Sequence, residues 1–255
     1  MGATGGPNTV HDNLTFCVEA ADKNSFTSGS TTWYDLSPNG NNGTLSGSAS
    51  AVTNGLIGTV SGSLQVMAFN GSSDYITMGE KDALDIRTST ATTEAWFRVH
   101  PSTTSSEKIF QKYLHNSGDE EGWYLDFDHD GTPRFAIDWG SGGSRFAGTQ
   151  KIASVGGPVV TGSSAEWHHL VGTTDGSNMN IYLDGSYITS SATNSPTGDA
   201  NSTANAMIAA QINYGTGAIW GHLNGLIGSV RLYNKALSSK EVSQNFNAQR
   251  SRFGV

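Results

Sequence analysis

The residues with the clearest capacity for chemistry lie in the stretch YLDFDHDG, residues 124–131. Three aspartates and a glycine there reproduce the D-x-D-x-D-G opening of a calcium-binding loop: Asp126, Asp128, Asp130 and Gly131. Two features argue against an EF-hand. The twelfth loop position holds Ile137 instead of Glu, and the aspartates alternate with Leu125 and Phe127, which is the pattern of a strand. We therefore predict a strand that carries carboxylates on one face.

This strand forms the first half of a predicted β-hairpin across residues 122–140, because the Asp-Gly pair in HDGT suits a tight turn between twisted strands. Alternation places apolar side chains on the core face and leaves a polar set on the outer face: Tyr124, Asp126, Asp128, Arg134 and Asp138. The outer face has three interpretations. It is a solvated sheet surface with an Asp–Arg cross-strand pair, a glycan-binding face, or a glycosidase dyad.

The dyad interpretation can be weighed by distance. A retaining glycosidase places two carboxyl groups about 5–5.5 Å apart and raises the pKa of one of them. Same-face neighbours on a strand lie roughly 6–7 Å apart, which is compatible. Nothing in the sequence marks either aspartate as a buried acid, however, and the motif contains no Glu.

A second candidate site lies in AFNGSSDYITMG, where Asn70 and Asp74 flank a turn. With backbone carbonyls, these side chains could help to hold a calcium ion. The alternative is that both accept hydrogen bonds from the turn backbone, as Asx turns do.

The adjacent histidines in EWHHLV suggest a metal site at first sight. On a strand, however, His168 and His169 point to opposite faces and cannot close on one ion. Neither belongs to an H-x-H or HExxH pattern. We therefore predict structural roles for both.

The elements that position these residues are predicted to be mainly strands. Turn signals recur at roughly the 8–12-residue spacing of β-sandwiches. The longest predicted loops cover residues 141–165 and 190–205, and 31–47 is predicted as a structured loop. One helix is predicted in KALSSKEVSQNFNAQR, with Ser238 and Glu241 as a capping box and Leu237 and Val242 as a hydrophobic staple.

Charge and cysteine content disfavour several classes of partner and of stabilising bond. A net charge of −8 without a Lys/Arg run disfavours nucleic acid and anionic membranes as partners. Cys17, the single cysteine, excludes an intrachain disulfide and is predicted to be a buried, inert thiol. The N-terminal residues show no signal-peptide pattern. We expect one domain over residues 1–255, with 1–12 as an extended arm.

Several motifs, in this order, resemble the laminin-G-like branch of the concanavalin A-like lectin/glucanase superfamily: TTWYDLSPNGNNGTL, MAFNGSSDYITMG, EAWFRV, EWHHLVGTTDGSNMNIYLDGSYI and GLIGSVRLYNKALSSKEVSQNFNAQRSRFG. The resemblance implies an all-β, jelly-roll sandwich of two antiparallel sheets with a short C-terminal helix. Members often bind glycans or proteins, and many bind calcium at a loop edge.

The chain departs from the family pattern at two places. Many members carry Ile-Asp-Glu-Val in the closing strand, where this chain has Ile-Gly-Ser-Val at residues 227–230. The carboxylate signature of the related glucanases, two Glu flanking an Asp, is not seen either, which disfavours a hydrolase.

The stretches TFCVEAADKNSFTSGSTTWYDLSPNGNNGTL and NFNAQRSRFG are similar to the version of this domain in structural proteins of tailed bacteriophages. The resemblance implies a non-enzymatic virion surface protein in a capsid decoration, fibre or tail. It would be made in the bacterial cytoplasm and contact other virion proteins, with host glycan as a further possible ligand. The alternatives are a capsid cement protein without ligand and a polysaccharide depolymerase.

Overall fold

The computed structural model describes most of the chain, namely residues 8–55, 63–86, 90–99, 106–115, 120–128, 132–138, 151–154, 166–192 and 202–255. In chain order its strands are β1 (Leu14–Glu19), β2 (Thr32–Trp33), β3 (Gly43–Ser46), β4 (Ser50–Gly55), β5 (Ser63–Asn70), β6 (Tyr75–Gly79), β7 (Thr90–Val99), β8 (Glu107–Leu114), β9 (Glu121–Phe127), β10 (Pro133–Asp138), β11 (Lys151–Ser154), β12 (His168–Asp175), β13 (Asn178–Leu183), β14 (Ser186–Ala192), β15 (Ala206–Ile208), β16 (Gln211–Ile212), β17 (Ile219–Trp220) and β18 (Asn224–Tyr233). A 3-10 turn, η1, covers Asp82–Leu84, and the helix α1 covers Ser239–Phe253.

The strands of the described residues form two large antiparallel sheets, which make the predicted jelly-roll sandwich. The first sheet has the order β14-β13-β12-β7-β18-β5-β4, with β1 also paired to β18. The second has the order β11-β10-β9-β8-β15-β6-β3-β2. Strands that follow each other in sequence often belong to different sheets: β5 and β6, which flank the NGSSD turn, are such a pair. The predicted all-β fold with a C-terminal helix is confirmed.

The main core lies between the two sheets and follows the alternation of the sequence. Leu125 and Phe127 on β9 and Ile137 on β10 are almost completely buried there, as predicted. Gly172 on β12 faces Phe135 across this core, and a Cβ at Gly172 would lie 2.3 Å from the Phe135 Cγ. A larger residue at this position would force the sheets apart, because protein cores leave no room for added atoms.

Two smaller hydrophobic clusters lie on the other side of the first sheet, beneath α1. The helix begins with the predicted capping box of Ser238 and Glu241 and ends at Gly254 in the left-handed conformation, φ 77°. Val242 and Phe253 of the helix are buried against the sheet. The helix ends three residues beyond the predicted segment, which stops at Arg250, and it covers one outer face of the sandwich. No helix among the described residues is both long and apolar enough to cross a membrane.

The N-terminal segment and Cys17 can be placed in part. Residues 1–7 of the predicted arm lie outside the described residues. Val10 packs near the helix, and its N–H donates to Asn245 Oδ1 at 2.7 Å. Cys17 is buried, and burial raises the pKa of its thiol. The prediction of an inert buried thiol agrees with this environment.

The loop predictions hold in part. In the segment 31–47, the Asp35 carboxylate accepts the backbone N–H groups of Cys17, Ser37 and Asn41, each at 2.9 Å, which gives the predicted structured loop. Strands β2 and β3 lie at its two ends.

The prediction of a loop across 141–165 is wrong for Lys151–Ser154, which pair with β10 as strand β11. Residues 190–192 belong to β14, while 193–201 and the rest of 141–165 lie outside the described residues.

Candidate functional site

A cluster of paired charges lies on the outer face of the second sheet, with Asp126 at its centre. Arg134 on β10 and Lys108 on β8 are the cross-strand partners of Asp126 on its two sides. Arg134 donates through Nε to Asp126 Oδ1 at 2.9 Å and through Nη2 to Oδ2 at 2.8 Å. Lys108 Nζ donates to the same Oδ2. The predicted Asp–Arg cross-strand pair is thus present, with a lysine added.

The interpretation of this face as a solvated sheet surface is wrong. Asp126 has no exposed surface, Tyr124 is 6% exposed and Asp138 is 2% exposed. Part of the cover is the hairpin β16–β17, which packs against β8. The chain leaves the second sheet at Ala209, whose φ of 67° ends β15 and lets the hairpin turn over the face. Alternation identified the outer face correctly but carried no information about what covers it.

One edge of the cluster is partly open, and we call it the Trp220 patch, defined by Lys108, Tyr124, Asp126, Asp128, Arg134, His115 and Trp220. The Asp128 side chain is 32% exposed and accepts from Arg134 Nη1 at 2.9 Å. Trp220 is half-buried, with Lys108 Nζ 5.2 Å from its ring centroid. The same Nζ lies 4.5 Å from the centroid of Tyr124. The patch thus combines aromatic rings with charges that are already paired.

Charge and burial set the protonation of this region. Burial opposes the charged form of Arg134, but the hydrogen bonds and charge of Asp126 outweigh it and raise the pKa of the guanidinium. Burial and the neighbouring Asp126 raise the pKa of Tyr124 as well. Both residues therefore keep their protons throughout the range in which the protein is handled.

A second set of paired groups borders Trp220. His115 lies 5.4 Å from the indole, centroid to centroid, and its Nδ1 lies 2.9 Å from Glu120 Oε1. Glu120 Oε2 accepts from the Tyr113 hydroxyl at 2.7 Å. Burial, followed by this contact with Glu120, raises the pKa of Tyr113.

Four of the five residues predicted on the outer face belong to the patch, and Asp138 does not. Asp138 pairs with Gly122 at the far end of the hairpin. Sequence reasoning missed Lys108, His115 and Trp220. The signal for Lys108 was weak, because half of the residues in the strand sequence EKIFQKYL are polar and the sequence does not show which of them are buried. Asp130 and Gly131 lie outside the described residues.

The candidate calcium residues Asn70 and Asp74 are engaged in turn hydrogen bonds. Asn70 Oδ1 accepts the backbone N–H groups of Ser72 and Ser73, each at 2.9 Å. Asp74 Oδ1 accepts the N–H of Ser48 at 2.7 Å, and Oδ2 accepts the N–H of Asn70 at 3.1 Å. This is the Asx-turn alternative. Within the described part of the chain, no group of three or more His, Cys, Asp or Glu residues could hold a metal ion.

The two histidines of β12 point to opposite faces, as predicted. His168 Nδ1 lies 2.9 Å from Asp184 Oδ2 in the turn that follows β13. His169 is completely buried, stacks on Trp96 with ring centroids 5.0 Å apart, and has its Nε2 3.5 Å from Glu94 Oε2. His168 is accounted for by its pairing with Asp184 and His169 by its packing against Trp96, although His169 Nδ1 is buried without a hydrogen-bond partner.

Glu94 is the centre of another buried charge cluster, which lies between the first sheet and α1. Its carboxylate accepts from Arg231 Nη1 at 3.0 Å and from Asn245 Nδ2 at 2.9 Å. Arg231 also donates to Gln249 Oε1 of the helix at 2.9 Å. Burial alone would raise the pKa of Glu94, but His169, Arg231 and Asn245 lower it to about 2.

Comparison with known proteins agrees with this architecture. Residues 70–243 match the family model of the concanavalin A-like lectin/glucanases superfamily. A comparison with curated proteins found no match.

Three solved structures illustrate the similarity, which at these identities concerns the fold. The binding domain of Paraclostridial Mosquitocidal Protein 1 is 18% identical with a TM-score of 0.61, over 92% of this chain and 52% of that one. Domain 4 of a GH43 extracellular arabinanase from Geobacillus stearothermophilus, solved with arabinotriose, is 18% identical with a TM-score of 0.59, over 92% and 98%. Trypanosoma rangeli sialidase, solved with sialic acid, is 16% identical with a TM-score of 0.62, over 98% and 35%. The chain thus spans about half of the toxin binding domain and a third of the sialidase.

Proposed function

Because the chain belongs to the concanavalin A-like lectin/glucanases superfamily, we propose that it is a non-enzymatic glycan-binding protein of a virion surface, with the Trp220 patch as its binding site. The observation that carries the glycan part is the half-buried indole of Trp220 beside the partly exposed Asp128–Arg134 pair. An apolar ring surface next to a few fixed polar groups is the usual composition of a ligand site.

Sugar chemistry fits this combination. A pyranose or furanose ring offers an apolar C–H surface that can stack on an indole, and hydroxyl groups that need donors and acceptors at its edge. Arg134 and Asp128 supply both. Arg134 is held in place by its buried contacts to Asp126, and Asp128 is held by its contact with Arg134. Groups that are already ordered lose little entropy on binding, which favours affinity.

The bound ligands of two structural neighbours support a glycan. The arabinanase domain was solved with arabinotriose and the sialidase with sialic acid. Neither residue set transfers to this chain at such low identity.

The non-enzymatic part rests on the state of Asp126. Both of its carboxylate oxygens accept hydrogen bonds from cations, and the residue has no exposed surface. A glycosidase needs carboxyl groups that reach the glycosidic bond. We expect no reducing sugar to be released from a panel of bacterial polysaccharides, and release that survives purification to homogeneity would overturn this part in favour of a depolymerase.

The virion part rests on the sequence motifs similar to tailed-bacteriophage structural proteins, and its partners would be capsid, fibre or tail proteins. The test is to locate the chain in the density of an intact virion. Ordered assembly on the capsid with no binding across a glycan array would instead identify a cement protein without ligand.

The glycan part is tested with Trp220→Ala on a glycan array. Tyr187→Ala is the matched control, because Tyr187 is an aromatic residue that is 52% exposed on β14, outside the patch. Trp220→Ala should weaken binding at least about tenfold, as loss of an aromatic anchor does, while Tyr187→Ala should bind like the wild type. Equal binding by the wild type and Trp220→Ala would refute the patch as the site.

A further inference from the structure

The cations of the Trp220 patch are all engaged with carboxylates of the same protein. Lys108 is paired with Asp126, and Arg134 is paired with both Asp126 and Asp128. His115, the third basic side chain in the described part of the patch, is paired with Glu120. An incoming anion would have to compete with these internal partners.

Such competition is unfavourable because the pairs are buried. The side chains of Lys108 and Asp126 are 5% and 0% exposed. Turning Lys108 or Arg134 toward a ligand would leave the Asp126 carboxylate buried with fewer partners, and a buried charge without compensation is strongly destabilising. Lys108 and Arg134 thus serve to neutralise Asp126 and cannot leave it to pair with a ligand carboxylate. Arg134 uses three of its five N–H donors in these contacts, so it can still donate to a neutral hydroxyl group without leaving Asp126.

The remaining charge of the patch does not attract an anion. The two carboxylates of the patch, Asp126 and Asp128, balance its two permanent cations, Lys108 and Arg134, so no net positive charge is left over. The most exposed side chain among the ion pairs of the patch is Asp128, at 32%. The protein as a whole carries a net charge of −8, so long-range attraction does not favour a polyanion either.

We infer that the Trp220 patch selects uncharged glycans and discriminates against glycans that end in sialic acid or a uronic acid. The indole supplies the stacking surface, and the Asp128–Arg134 pair supplies hydrogen bonds to hydroxyl groups. This inference rests on the proposed function and adds the charge class of the ligand to it.

The experiment uses matched glycan pairs that differ in one carboxylate: lactose-terminated and sialyllactose-terminated probes, and a uronate oligosaccharide with its carboxyl-reduced counterpart. Binding of the full chain to each probe is measured at low and high salt. We expect the neutral member of a bound pair to bind at least about tenfold more tightly. Its affinity should change less than about twofold with salt, because screening acts on charges.

Asp128→Asn sharpens the test, because it removes the exposed carboxylate. It should raise the affinity for the acidic member relative to the neutral one by about two- to fivefold. Glu166→Gln is the control, since it removes the same charge at an exposed position before β12 and should leave the ratio unchanged.

The outcomes separate this inference from the proposed function. Equal or tighter binding of the acidic members overturns the charge selectivity and leaves glycan binding standing. Absence of binding to every neutral and acidic probe overturns both. A neutral preference that persists unchanged in Trp220→Ala overturns the assignment of the selectivity to this patch.

Discussion

Each sheet of the sandwich carries a buried cluster of paired charges on its outer face, and the two clusters differ in their cover. The cluster around Glu94 lies beneath α1, where Glu94 is 1% exposed and Arg231 is 3% exposed. The cluster around Asp126 lies beneath the hairpin β16–β17 and reaches solvent at its edge, where Asp128 is 32% exposed. Similar ion-pair chemistry is therefore found under two kinds of cover. The fully covered cluster attaches a helix to the sheet, and we propose that the partly open cluster presents its edge to a ligand.

The largest loss of stability is expected when the central carboxylate of the fully covered cluster is removed. Glu94→Gln leaves Arg231 buried without its main charge partner, and we expect a loss of about 3–5 kcal/mol in the free energy of unfolding. Urea denaturation followed by tryptophan fluorescence measures it. Glu166→Gln, at an exposed position, is the control and should change stability by less than about 0.5 kcal/mol. A wild-type midpoint for Glu94→Gln would show that the helix does not depend on this cluster.

The stabilisation that the Glu94 carboxylate gives to the fold should be lost over a defined range of acidic pH. The pKa of Glu94 is lowered from 4.5 to about 2 in the folded protein. A carboxylate with a lowered pKa stabilises the fold above its unfolded pKa, and the contribution is lost as pH falls through the folded value. For this shift the contribution is about 3 kcal/mol. The stability difference between wild type and Glu94→Gln should therefore narrow between pH 4.5 and pH 2, whereas a constant difference would contradict the assignment.

Asp126→Asn is expected to have a smaller effect than Glu94→Gln, about 2 kcal/mol. Arg134 is 16% exposed and keeps its contact with Asp128, so it can be rehydrated in part. Lys108 retains the Tyr124 ring, 4.5 Å away. The comparison uses the same urea denaturation, and a loss as large as that of Glu94→Gln would mean that the edge of the patch is not open in solution. Because Asp126→Asn also disturbs the Trp220 patch, glycan binding by this variant must be interpreted together with its loss of stability.

The sequence was sufficient for the parts of the fold that depend on local periodicity. Leu125 and Phe127 occupy the core because alternation places them there, and Ser238 caps the helix because its capping box is local. The cover of the outer faces depends on contacts distant in sequence, such as Trp220 over Lys108 and Asn245 on Glu94. Periodicity assigns a residue to one face of a sheet but does not reveal what packs on that face. The aspartates were therefore assigned to the correct face, while the interpretation of that face as a solvated surface was wrong.

The smallest effect is expected at the exposed edge of the patch, from Asp128→Asn. Asp128 contacts Arg134 Nη1 at 2.9 Å, but its side chain is 32% exposed, and ion pairs accessible to solvent contribute about 0–1 kcal/mol. We therefore expect a change in unfolding free energy of less than about 1 kcal/mol, measured beside Asp126→Asn in the same urea titration. Asp126 on β9 and Asp128 just after its end are two residues apart and both contact Arg134. They would then differ in stability effect because one is fully buried and the other is not. Equal losses for the two variants would show that Asp128 is also a structural residue, and the division of the cluster into a buried support and a ligand-accessible edge would fail.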